Sequence, residues 1–124
     1  MNIVLLTGNL GQAPEVRDTK TTTVARFSLA TNERFKDRDG ERHERTDWHR
    51  VVAFGALAKT LEQLQAGDKV TVRGKLRTNT YEKDGEKRTG VEVHAAAVEF
   101  LLVKNWRDAP AAEVDEGDDD DIPF

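Results

Sequence analysis

Cysteine is absent from the 124 residues, so neither a disulfide framework nor a thiolate nucleophile or metal site is available. A long apolar run is missing too. The opening MNIVLLTG has no basic residue ahead of its apolar stretch, and that stretch is far shorter than a signal-peptide core or a membrane span. It reads as the first strand of a cytoplasmic protein with no membrane role. Histidine is scarce: His43, His49 and His94 are scattered among no recognisable partner motif, which argues against a catalytic constellation and against a metal centre. Gly8 and Gly11 of GNLGQAP lack the Gly-Lys-Ser/Thr ending of a phosphate loop. No internal repeat is visible. With 37% hydrophobic residues, the length suits one domain with a modest core. The absences point to a binding module without cofactor or metal rather than an enzyme.

Bases are missing from the end of the chain. From Ala109 onward there are seven acids (Glu113, Asp115, Glu116 and Asp118 to Asp121) and no Lys or Arg, whereas residues 1–108 hold 16 acids against 19 bases. The formal net charge of −4 is therefore a body of +3 and an end of −7. Such asymmetry points to a polyanion partner for the body and a separate task for the tail.

What is present is mostly strand. VARFSLAT, Val24 to Thr31, alternates Ala25, Phe27 and Leu29 with Arg26 and Ser28, the period of a half-buried strand. Asp39-Gly40 and Asp84-Gly85 are hairpin turn signals embedded in charged residues, so each predicts a long hairpin projecting into solvent. Between them, Ala56 to Gln65 predicts the one helix, with Leu57, Leu61 and Leu64 on one face and Gly67 as its stop. Asp68 to Tyr81 and Thr89 to Val103 are again strand-rich. Three strands, a short helix and two strands form the order of an OB-fold, an all-β five-stranded Greek-key barrel. The expected limits are a barrel domain over 1–105, a short linker over 106–117 and a disordered acidic tail over 118–124.

In TDWHRVVAFG, Thr46 to Gly55, alternation sends Trp48, Arg50, Val52 and Phe54 to one face and Asp47, His49, Val51 and Ala53 to the other. In the next strand Val70, Val72 and Leu76 oppose Arg73, Lys75, Arg77, Asn79 and Tyr81. Flat π surfaces among fixed cations suit single-stranded nucleic acid, whose bases stack on aromatics for about 1–3 kcal/mol each with little regard to sequence. Its phosphates add a salt-sensitive term. A strand aromatic is also an ordinary core residue, and Phe35 shares its parity with Phe27 and Leu29, so pattern alone leaves Phe35 open to the core. A row of cations is equally an ordinary solvated face. His49, opposite Trp48 in parity, is open to a core, interface or catalytic place.

LTGNLGQAPEVR, TDWHRVVAFG, VRGKLRT and DDDDIPF together closely resemble the bacterial single-stranded DNA-binding protein family, over residues 2 to about 103 and the last seven. The resemblance implies an OB-fold protomer, a homotetramer around which single strands wrap, and base stacking at Phe35, Trp48, Phe54 and Tyr81. It places His49 at the tetramer interface. Phosphate contacts are expected from Arg34, Lys36, Arg50, Lys59, Arg73, Lys75 and Arg77. The implied function is coating and protecting single-stranded DNA without sequence preference. The tail, Asp118, Asp119, Asp120, Asp121, Ile122, Pro123 and Phe124, then recruits replication, recombination and repair proteins in the cytoplasm, at the nucleoid. Its carboxylates mimic a phosphate chain and compete with DNA for the basic face, and its last three residues suit an apolar pocket rimmed by Lys or Arg.

Three departures stand out. Phe35 and Tyr81 replace two family tryptophans with less π area, which predicts a weaker or shorter-footprint complex. Asn2 and Ile3 stand where the family often has bases, and the linker is short, which limits its reach. The alternatives are an OB-fold replication-restart accessory or RNA-binding protein, and an adaptor whose tail is the function.

Overall fold

The computed structural model describes residues 1–104. The linker over 106–117, with Trp106 and Arg107, and the tail over 118–124 lie outside the described residues. The elements are β1 (Val4–Leu10), β2 (Glu15–Asp18), β3 (Thr23–Lys36), β4 (Arg42–Phe54), α1 (Ala56–Thr60) with a 3-10 turn over Leu61–Gln63, β5 (Lys69–Lys83) and β6 (Glu86–Leu102). Strands adjoin in the order β1-β5-β6-β4-β3, and Asn9↔Ala30 and Leu10↔Leu29 pair β1 with β3, closing a five-stranded barrel. This is the all-β OB-fold architecture that the element order predicts. The addition is β2, four residues that hairpin onto β3 outside the ring. Its sequence, EVRD, is too short and too charged to show an alternation.

The core follows the alternation. Ala25, Phe27 and Leu29 of β3, Val51 and Ala53 of β4, Val70 and Val72 of β5 and Val93 of β6 are buried together inside the ring, with Leu61 and Leu64 from the helical segment. Gly8 makes the closure possible. A side chain there would collide with the backbone carbonyl of Ala30, so only a hydrogen lets β1 lie against β3.

The helix is shorter than the Ala56 to Gln65 expected from its leucines. After Thr60 it tightens, and Leu64 is already extended (φ −74°, ψ 150°). Asp68 is the physical reason. This buried carboxylate accepts the Gln65 N–H at 2.7 Å and the Lys104 N–H at 3.2 Å, tying the entry of β5 to the exit of β6. A helix continued through Gln65 would take one of those donors away. A net helical hydrogen bond is worth about 0.5–1.5 kcal/mol, less than the about 1–3 kcal/mol or more lost when a buried charged acceptor goes short of partners.

Both hairpins extend well past the barrel. Asp84 (φ 55°) and Gly85 (φ 82°) form a two-residue turn between Lys83 and Glu86, the geometry that Asp-Gly favours. The β3–β4 turn differs: it spans 37–41, Gly40 alone has positive φ (80°), and the Asp37 N–H donates to the Glu41 carbonyl.

Gly8→Ala is expected to destabilise the barrel by about 1–3 kcal/mol or more, because the obstacle is backbone and does not yield by a rotamer change. Thermal unfolding checks this as a drop in Tm of about 4–8 °C per kcal/mol for a domain of this size.

Candidate nucleic-acid interface

β4 supplies the centre of the site. Its ladder with β3 runs without a bulge from Val24↔Phe54 to Lys36↔Arg42, so the alternation read from TDWHRVVAF holds along its whole length. Trp48 is 61% exposed and Phe54 46%, while Val51 and Ala53 on the reverse are buried. Val52 shares the outer face yet is only 2% exposed. Arg26, directly opposite it on β3, reaches across β4 to Glu92 on β6, with Arg26 Nη1 at 3.2 Å from the carboxylate, and this bridge roofs the valine.

Glu92 organises the middle of this face. Its side chain is 15% exposed and is held by Arg26, by Nδ2 of Asn79 at 3.0 Å and by Nε2 of His94 at 3.5 Å. The His94 ring stands 5.5 Å from Phe54 at a tilted angle. Arg26, Glu92 and His94 were not among the residues expected from sequence. A lone glutamate within a strand carries no local signal, and only the parallel pairing of β4 with β6 at Val52↔His94 brings them beside the aromatics.

β5 extends the face. Lys75 lies opposite His94, Arg77 opposite Glu92 and Tyr81 opposite Arg88, so Lys75, Arg77, Asn79 and Tyr81 project on the side that carries Phe54 and Trp48. Tyr81 is 46% exposed, its ring lying over Gly90, where an added Cβ would stand 3.3 Å from Cε1. Trp48 likewise lies over a glycine: a Cβ on Gly11 would come 2.6 Å from Cζ3. Gly11 thus belongs to no phosphate loop but gives an indole room.

The expected residues therefore separate. Trp48, Arg50, Phe54, Lys75, Arg77 and Tyr81 share one continuous outer face. Phe35, 50% exposed rather than in the core, is on the reverse of the β3–β4 ribbon, opposite His43. Arg34 and Lys36, its neighbours in sequence, alternate onto the Trp48 side of the ribbon, Arg34 paired with Glu44 at 3.3 Å. Arg73 is half-buried, unlike the exposed Lys75 and Arg77, and Lys59 stands exposed on α1, off the strands that carry the rest. His49 is half-buried on the side away from Trp48 and shares a 2.8 Å hydrogen bond with Thr31 Oγ1.

The tip of the β3–β4 ribbon is locked by Asp37. Its Oδ1 accepts the N–H groups of Asp39 (2.8 Å) and Glu41 (2.9 Å), and its Oδ2 accepts from His43 Nε2 at 2.8 Å. The His43 hydrogen bond, followed by those of the backbone, holds the Asp37 carboxyl below its ordinary value of 3.8.

Among known proteins, the model of the single-strand binding protein family matches residues 1–101. A single-stranded DNA-binding protein 1 of Chlorobaculum tepidum is 40% identical over 85% of this chain and 67% of its own length, and one of Xylella fastidiosa is 39% identical over 95% of each. A single-stranded DNA-binding protein of Xanthomonas axonopodis is 41% identical, and there the chain spans only 58% of the relative. A solved complex of Plasmodium falciparum SSB with ssDNA superposes with a TM-score of 0.76 at 30% identity, covering 82% of this chain and 95% of that one.

Because the Asp37 pKa is depressed, the lock is fully present above the ordinary carboxylate value and is lost as pH falls through the lower one. Carbon NMR of the side-chain carboxyls should find Asp37 titrating below its ordinary value in the native chain. In His43→Ala the midpoint should move back up, since the largest cause is removed. An unchanged midpoint would contradict the lock.

Proposed function

Since the chain belongs to the single-strand binding protein family, we propose that it binds single-stranded DNA without sequence preference, bases stacking on Trp48, Phe54 and Tyr81 and phosphates meeting Arg50, Lys75 and Arg77. The family is one of binding proteins, not of enzymes. The observation that carries the reading is the single face on which three exposed aromatics alternate with exposed cations. Bases in a duplex are stacked and hidden, so such a face favours single strands.

Phe35 lies on the reverse of the same ribbon, between Arg34 and Lys36, which alternate back to the Trp48 side. A strand that engages both sites must turn around the β3–β4 edge. That requirement supports wrapping rather than a straight track. Assembly as a homotetramer is part of the proposal: His49 and the exposed apolar Ile3, Leu5, Leu76 and Val91 offer surface away from Trp48 and Phe54 for copies to cover. Lys59 and Arg73, on their placement, contribute least to phosphate binding.

The tail, Asp118 to Phe124, is proposed to bind replication, recombination and repair proteins in the cytoplasm, at the nucleoid. Its support is chemical. Four carboxylates followed by Ile-Pro-Phe match a basic-rimmed apolar pocket. Among the described residues no helix is long and apolar enough to cross a membrane.

Titration with oligo-dT at low and high salt, followed by tryptophan fluorescence, tests the reading. Strong quenching is expected with single strands and little with duplex, weakening as salt rises. Trp48→Ala should remove most of the quenching and weaken binding by about fivefold or more, one stacked base being worth about 1–3 kcal/mol. Equal affinity for RNA would favour an RNA-binding role, and quenching that survives Trp48→Ala would overturn the site. Deleting residues 118–124 should leave oligo-dT binding intact or tighter while abolishing capture by purified repair proteins; loss of DNA binding would contradict the division of labour.

A further inference from the structure

Resting on the reading of the chain as a single-strand binder that stacks a base on Phe35, we propose that His43 is a positioning residue that fixes the Phe35 ring at the tip of the β3–β4 ribbon. Phe35 and His43 are directly opposite each other in the ladder, and their rings stack at 5.4 Å with planes 26° apart. A phenylalanine projecting on a solvent-facing ribbon, far from any core, ordinarily rotates among rotamers, and a base that stacks on it must first stop that motion. Here one face of the ring is already covered. The other half of its surface remains open, its exposure being 50%.

His43 can serve as backing because it is itself tied. Its Nε2 donates to Asp37 Oδ2, and Asp37 is held by two backbone N–H groups of its own loop. The chain of support runs from loop backbone to carboxylate to imidazole to phenyl ring, and each link is a direct contact. Arg34, Lys36 and Arg42 adjoin the pair along the two strands but alternate onto the opposite, Trp48-bearing side of the ribbon. The ribbon tip thus presents a preorganised flat ring on one side and cations on the other, in the path of a strand that turns around the tip. The smaller π area of phenylalanine compared with tryptophan is offset by preorganisation, which lowers the entropy lost on binding.

A double-mutant cycle on the full chain, read by oligo-dT affinity, tests this. Phe35→Ala is expected to weaken binding about fivefold or more, the lower end of what one stacked base contributes. His43→Ala should cost about threefold alone and almost nothing in the Phe35→Ala background, because a positioning residue acts through the ring it holds. His43→Phe, which keeps a flat ring, should recover more affinity than His43→Gln, which keeps only the hydrogen bond to Asp37. With Phe35→Trp as reporter, the added fluorescence should be quenched by oligo-dT, and less so when His43→Ala is also present. Equal losses for His43→Ala in both backgrounds, or no loss at all, would overturn the inference while quenching of Trp48 persists. Absence of Trp48 quenching in the native chain would instead strike the parent reading.

Discussion

The ladder between β3 and β4 runs through thirteen consecutive pairs without a bulge, and most of the molecule depends on that continuity. Side chains in a strand alternate strictly, so one inserted residue would send every later side chain to the other face. The same register that buries Leu29, Val51 and Ala53 exposes Trp48 and Arg50, and it sends Phe35 to the reverse beyond the barrel's end. Core and site are two readings of one alternation. A destabilised register would therefore damage both at once.

The face so produced contains a carboxylate at its centre, which looks contrary to binding a polyanion. Glu92 is offset by Arg26, Asn79 and His94, and its effect is to fix those groups and roof Val52 rather than to present free negative charge. Exposed ion pairs contribute little to stability, but Glu92 is largely enclosed, so its partners are held in place. The exposed cations Arg50, Lys75 and Arg77 surround it. The +3 body of residues 1–108 thus concentrates usable positive charge around fixed aromatics, while the seven acids of the remaining chain stand apart in sequence.

Residue patterns made the five barrel strands, the two long hairpins, the helix and the exposed aromatic face legible, because each rests on local periodicity or on turn chemistry at Asp39-Gly40 and Asp84-Gly85. The length of the helix was not legible, since Asp68 ends it from a distance by accepting the Gln65 N–H. Nor was β2, whose four residues carry no pattern. Glu92 and His94 escaped because a parallel pairing between strands separated by some forty residues brings them to Phe54. Phe35 was left open between core and surface by its parity with Phe27 and Leu29. Strand length decides the matter: the ribbon outruns the barrel, so the inward face becomes a solvent face past Leu29.

The central claim is that single strands bind across the outer face of β4, β6 and β5. Amide hydrogen exchange of the full chain, with and without saturating oligo-dT, tests it most directly. Protection should rise in the segments 46–54, 75–82 and 90–94 and at the β3–β4 tip, with little change over 4–8 beyond what assembly already protects. Protection confined to β1 and α1, or unchanged over 46–54, would contradict the account.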